Sequence, residues 1–115
     1  GTTYGGNPLV TSAVNAVFDI YEEENILENV KNVGAYLEEK LDELVNENKN
    51  IVLRRGKGLM QGLVLKTPVG DTINKAIEKG LLVISAAGNV LRLLPPLIIT
   101  KENVDEMINI LKECI

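Results

Sequence analysis

The chain contains no histidine and one cysteine, Cys114, among its 115 residues. Without histidine it lacks the commonest metal ligand and the commonest general base at neutral pH. No Cys/His/Asp spacing suits a metal, and no pair of carboxylates stands out for acid–base work. A single thiol cannot close an internal disulfide, which points to a reducing compartment. No apolar run reaches the roughly 20 residues needed to span a bilayer, and no charged-then-apolar leader opens the chain. A clustered basic face is missing too. The 12 Lys and Arg are mixed with 16 Asp and Glu, for a net charge of −4, which argues against a nucleic-acid surface. Internal repeats and low-complexity tracts are also absent.

What is present suits one domain or a piece of a larger one. A chain of this size buries about 65% of its unfolded surface, enough to fold alone. It begins at Gly1-Thr2-Thr3-Tyr4-Gly5-Gly6, inside a glycine-rich loop and without an initiator methionine. That start is expected for a cut through a longer protein.

Asn7 and Pro8 predict a helix start, with Asn7 as cap and Pro8 at the first position. The helix that follows is apolar over most of its circumference (Leu9, Val10, Ala13, Val14, Ala16, Val17, Ile20, Tyr21), so burial is expected. Asn25 with Glu28 three positions on reads as a capping box for a second helix running to about Glu47. Ile51–Leu53 and Leu59–Leu65 predict two strands, with Arg54-Arg55-Gly56-Lys57-Gly58 as the turn between them. A short helix is expected around Asp71–Lys79, closed by Gly80. Leu81–Ile84 and Val90–Leu94 predict two more strands, the last ended by Pro95-Pro96. Thr100 caps a final amphipathic helix. This order predicts an α+β architecture, with a small, mostly antiparallel sheet of about four strands covered by helices.

Four features could carry chemistry. The opening loop has two hydroxyls, free backbone N–H groups and a nearby helix start, the ingredients of a phosphate site. Taken alone, a capped loop explains it as simply. Arg92 stands inside an apolar strand, where an unpaired guanidinium is costly. Period-two alternation puts it on the face of Val90 and Leu94. It is either a fork for a substrate carboxylate or an arginine paired or exposed at a sheet face, and the pattern alone leaves the two even. The Arg54–Gly58 run reads as a turn with solvated charges, since no aromatic residues interleave it for base stacking. Cys114 has no histidine partner and reads as an inert thiol.

The first two features coincide with motifs of one family. Gly1-Thr2-Thr3-Tyr4-Gly5-Gly6-Asn7-Pro8-Leu9 resembles the loop of class III aminotransferases that follows their cofactor-lysine region. Arg55-Gly56-Lys57-Gly58-Leu59-Met60 matches that family's glycine-bearing strand entry. Gly80–Ile84 with Gly88-Asn89-Val90-Leu91-Arg92-Leu93-Leu94-Pro95-Pro96-Leu97 resembles the C-terminal signature of its acetylornithine branch. The resemblance covers the whole chain, with the three motifs in order.

The resemblance implies a pyridoxal 5'-phosphate enzyme of fold type I, working as a cytoplasmic homodimer in arginine biosynthesis. Its small-molecule substrates would be N-acetylornithine and 2-oxoglutarate or glutamate, with no nucleic acid or membrane partner. Residues 1–24 would be loop and helix from the junction with a large domain, and residues 25–115 the small C-terminal domain. Thr3 would bind the cofactor phosphate across the dimer interface. Thr2 would contact substrate beside it, and Arg92 would grip the substrate α-carboxylate. The family's Schiff-base lysine, the aspartate under the pyridine nitrogen and the aromatic stacking residue all precede the point matching Gly1. No residue of this chain is therefore assigned to catalysis or to a metal, and the chain alone is expected to be inactive. Relatives acting on ornithine, succinylornithine or 4-aminobutyrate, and a non-catalytic amino-acid-binding module, are the alternatives.

Overall fold

The helix whose start follows most directly from its sequence is the last one, α4 (Lys101–Cys114). In the computed structural model, which describes residues 1–115, the Thr100 hydroxyl accepts from the Asn103 amide while the Asn103 side chain accepts from the Thr100 amide. Two otherwise orphaned donors are thus satisfied reciprocally. Val104, Met107, Ile108, Leu111 and Cys114 recur on one face and are buried, as helical periodicity requires. Cys114 is a core side chain, 2% exposed.

Helix α2 (Ile26–Glu47) buries Val33, Leu37, Leu41 and Leu44 against the same core. Its start differs from the expected capping box. Asn25 sits in the left-handed region (φ 51°) and makes no side-chain cap bond, while Glu28 accepts instead from Asn32. The backbone carbonyl of Asn25 takes the Glu28 and Asn29 amides. The two helices therefore meet through a tight left-handed turn that a short polar side chain tolerates.

The chain before it, α1 (Pro8–Glu23), is capped as expected, with Asn7 accepting from the Val10 amide. The burial expected for this helix is not found: it contains no buried residue. Leu9, Val14, Val17, Phe18 and Ile20 are all exposed. The apolar pattern is real, but α1 projects away from the core and no element of this chain lies over its apolar face.

Four strands form one wholly antiparallel sheet in the order β1-β2-β4-β3. They are β1 (Ile51–Lys57), β2 (Met60–Leu65), β3 (Ile84–Ala86) and β4 (Val90–Leu93). The α+β reading with a small four-stranded sheet therefore holds, with corrected boundaries. β1 continues through Lys57, and the connection to β2 is only Gly58-Leu59, because Lys57 pairs with Met60. Gly58 supplies the positive φ (56°) that so short a turn needs. β3 begins at Ile84 rather than Leu81, and β4 ends at Leu93. Between the hairpins lies α3 (Gly70–Glu78), followed by Gly80 at φ 85°, a left-handed helix stop.

The helices cover one face of this sheet. Leu63, Leu65, Leu91 and Leu93 pack there with α2 and α4 into a single core. Polar groups on this face are satisfied. Gln61, 1% exposed, donates its amide to the Gly58 carbonyl (2.7 Å) and Glu38 (3.1 Å) and accepts from Arg54 (3.1 Å). Arg54 also forks onto Asp42 through Nε (2.7 Å) and Nη2 (3.1 Å). One of the three cations in the run read as a solvated turn, Arg54, is thus a clasp between β1 and α2. At the other end of the core, Asn29 donates to the carbonyls of Leu97 and Ile99, fixing the segment that follows the double proline. No helix is long and apolar enough to cross a membrane.

Candidate functional site

Arg92 lies on the uncovered face of the sheet. Antiparallel partners share a face, so the register builds one transverse row: Arg55 opposite Gly62, Gly62 opposite Arg92, and Arg92 opposite Ile84. The alternation that turns Leu91 and Leu93 into the core turns Val90 and Arg92 outward. Gly62 leaves the middle of the row without a side chain. An added Cβ there would crowd Val90 Cγ1 at 3.0 Å.

The result is an open cavity of about 620 Å³ lined by Arg55, Gly56, Lys57, Met60, Gln61, Gly62, Ala86, Val90 and Arg92. Three cations line it and no carboxylate does. None of Arg55, Lys57 and Arg92 takes part in an ion pair, whereas Arg54, next in sequence to Arg55, pairs with Asp42 and Glu38. Arg92 Nε is buried and has no hydrogen-bond partner, the only such side-chain atom in the structure. A buried unsatisfied donor costs about 1–3 kcal/mol. Internal pairing of Arg92 is not what the structure shows, whereas its place on an uncovered sheet face fits both a carboxylate fork and an arginine at a sheet face.

Electrostatics separates the two neighbouring arginines. The fork from Arg54 holds the Asp42 carboxyl below its usual range, chiefly through the hydrogen bond, and raises the Arg54 guanidinium in return. Arg54 is thus committed to structure, while the Nε of Arg92 has no partner in the chain.

The opening loop lies elsewhere. Thr2 Oγ1 accepts from the Gly5 amide at 2.6 Å and Asn7 Nδ2 donates to the Tyr4 carbonyl at 2.5 Å, a self-contained turn ahead of α1. Gly6 completes it at φ 76°. Thr3 is exposed and its hydroxyl has no partner in the chain. No cavity or hydrogen bond joins Thr2 or Thr3 to Arg92. The loop and the cleft are two separate parts in this chain. Sequence reading missed Arg55 and Gly62 as neighbours of Arg92. The available signal was a glycine inside a strand, which often marks a close approach of another group.

A small antiparallel sheet with one helix-covered face, one cationic open face and a loop-and-helix extension is the architecture of one part of a transaminase. The model of the family "Aminotransferase class-III" matches residues 1–115, and the chain belongs to that family. Acetylornithine aminotransferase of Aquifex aeolicus is 50% identical over 113 residues, 98% of this chain and 28% of that protein. Its counterpart in Bacillus subtilis is 43% identical, over 100% of this chain and 30% of its own length. The chain thus spans under a third of these relatives. Among solved structures, acetylornithine aminotransferase from Elizabethkingia anophelis superposes with a TM-score of 0.90 at 29% identity, over 100% of this chain and 30% of that one. Plasmodium falciparum ornithine delta-aminotransferase does so at 0.88 and 34%, over 99% and 31%. Class III aminotransferases are generally pyridoxal-phosphate enzymes.

Proposed function

We propose that this chain is the C-terminal portion of an acetylornithine aminotransferase, moving an amino group from N-acetylornithine to 2-oxoglutarate in a cytoplasmic step of arginine biosynthesis. The observation that carries it is the unpartnered, buried Nε of Arg92 in an open cleft free of carboxylates. A guanidinium in that state has two N–H groups to give to a carboxylate, and both donor and acceptor carry one. Held by Arg92, the α-carboxylate fixes where the reacting carbon lies, and orientation of this kind is a large part of catalysis.

The cofactor would be pyridoxal phosphate, which when bound supplies the electron sink for charge developing beside the amino group. The residues present fit its phosphate. Thr3 offers a hydroxyl without an internal partner, in a glycine-bearing loop just ahead of the α1 N-terminus, where anions are favoured. Thr2 would meet substrate beside it. Because the loop and the Arg92 cleft stand apart within one chain, Thr3 would serve the site of the second subunit of a homodimer. Residues 1–24 would belong to the junction with a large domain and residues 25–115 to the small domain. The core begins at Ile26 and Val33, and α1 contributes nothing to it. The covalent cofactor chemistry would reside in the rest of the protein, and the 115-residue piece would not transaminate by itself.

A second reading, an ornithine aminotransferase, has a specific observation behind it. The ornithine enzymes of Plasmodium falciparum and Plasmodium yoelii are each 34% identical to this chain, against 29% for the Elizabethkingia protein. Assay of the full-length protein with N-acetylornithine and ornithine decides between them. The expected outcome is a kcat/KM at least tenfold higher for N-acetylornithine. A preference for ornithine would replace the proposal with the second reading.

A further inference from the structure

A separate cavity of about 400 Å³ opens at the N-terminus of α3, where Asn50, Thr67, Gly70, Asp71, Thr72 and Lys75 contribute to its lining. It shares no lining residue with the Arg92 cleft. α1 and α4 are capped by the side chains of Asn7 and Thr100, but the cap position of α3 is Val69, which has no side-chain acceptor to give. The amides of Gly70, Asp71 and Thr72 therefore make no hydrogen bond in the chain. Free amides at a helix start favour an oxyanion. Thr72 adds what a bare helix start lacks. It is 5% exposed, yet its hydroxyl has no hydrogen-bond partner. The helical Thr11, by contrast, donates to the carbonyls of Asn7 and Pro8. Arg92 Nε is the only sealed side-chain atom without a partner, so the Thr72 oxygen is reached from the cavity that Thr72 lines. Lys75, three positions on and so on the same helix face, takes part in no ion pair. Asn50 and Thr67 are bonded to each other at 2.9 Å and fix another wall. One carboxylate side chain, Asp71, lines the same space.

We propose that this cavity binds one hydrogen phosphate ion. The α3 amides, the Thr72 hydroxyl and Lys75 donate to its bare oxygens, and its remaining O–H donates to Asp71. Asp71 then sets the selectivity. Hydrogen phosphate keeps a proton at neutral pH and can satisfy a carboxylate, which only accepts. Sulfate has no proton to give and meets Asp71 as a like charge, a repulsion that selects against it. The binding involves no covalent step and does not depend on transamination.

The test uses the full-length protein, first loaded with pyridoxal phosphate so that any cofactor phosphate site is already filled. Inorganic phosphate and sulfate are then titrated by calorimetry at neutral pH and constant ionic strength. Saturable binding of one phosphate per chain is expected, with sulfate at least tenfold weaker. Thr72→Val keeps the shape of the buried side chain and removes its hydroxyl, and should weaken phosphate at least tenfold. Lys75→Met, at an exposed position, should weaken it at least threefold. Asp71→Asn should bring sulfate within twofold of phosphate, and Arg92→Ala should leave phosphate within twofold of the parent. An unchanged melting temperature without phosphate establishes that Thr72→Val is folded. If that variant unfolds, Lys75→Met and Asp71→Asn decide. The inference is overturned by no saturable binding, by equal affinity of the parent for sulfate, or by phosphate binding that Arg92→Ala removes and the α3 variants keep.

Discussion

The two faces of one four-stranded sheet follow opposite rules. On the covered face, Leu63, Leu91, Leu41 and Leu111 are all 0% exposed, and the one buried amide, Gln61, has every hydrogen bond it needs. On the open face, strand positions directly alternate with Leu63 and Leu91, yet they hold unpaired cations, a glycine and a buried donor with no partner. Neighbouring residues of one strand thus differ: Leu91 is fully buried in the core, and the Nε of Arg92 is buried with no partner in the chain. Satisfied polar groups mark structure, and a buried unsatisfied one calls for an explanation.

The largest expected effect lies on the covered face. Leu91→Ala removes a fully buried side chain and should destabilise the chain by about 2–5 kcal/mol in chemical denaturation. A loss under 1 kcal/mol would mean that the core is looser than described.

Next comes the clasp. Gln61→Ala leaves the Gly58 carbonyl and Glu38 without their donor, and a loss of about 1–3 kcal/mol is expected. An unchanged unfolding midpoint would show that water replaces the amide freely.

A smaller effect should appear with pH. The Asp42 carboxyl is depressed by its bond to Arg54, so it contributes stability above its unfolded value, about 3.9. That contribution is lost as pH falls through the lower folded value. Asp42→Asn should flatten this acid limb of the stability curve. The change should be slight, because the Asp42 side chain is 55% exposed and solvent screens it. An identical acid limb in the variant would remove Asp42 from the account.

The smallest effect belongs to α1. Val14→Ser alters an exposed position of a helix with no buried residue, so the chain's stability should shift by under about 0.5 kcal/mol. A loss of 2 kcal/mol would show that α1 packs on this chain after all.

Local chemistry was the part of the molecule readable from sequence. Thr100 and Asn7 announced helix starts because a cap needs only residues within three positions. Arg92 announced itself because a guanidinium in an apolar strand is costly unless something answers it. What sequence could not show depends on distant partners. Arg54 looked solvated because Asp42 lies 12 residues away on another element. The Arg54–Gly58 run read as a turn because its charges hid the alternation in which Arg54 faces inward and Arg55 outward. Leu81–Val83 read as strand from composition, but only Ile84–Ala86 find a ladder on β4. The apolar face of α1 was legible, and its exposure was not, since a helix pattern says nothing of which chain covers it.

The central claim is that Arg92 serves a ligand and not the fold. Arg92→Ala should be measured twice: by thermal unfolding of the chain and by steady-state kinetics of the full-length protein. The account predicts a melting temperature no lower than the parent's, since no internal partner is lost. It also predicts a fall in kcat/KM for both amine donor and 2-oxoglutarate of about 30- to 1000-fold, corresponding to about 2–4 kcal/mol for a lost carboxylate fork. A destabilised chain with unchanged kinetics would contradict it.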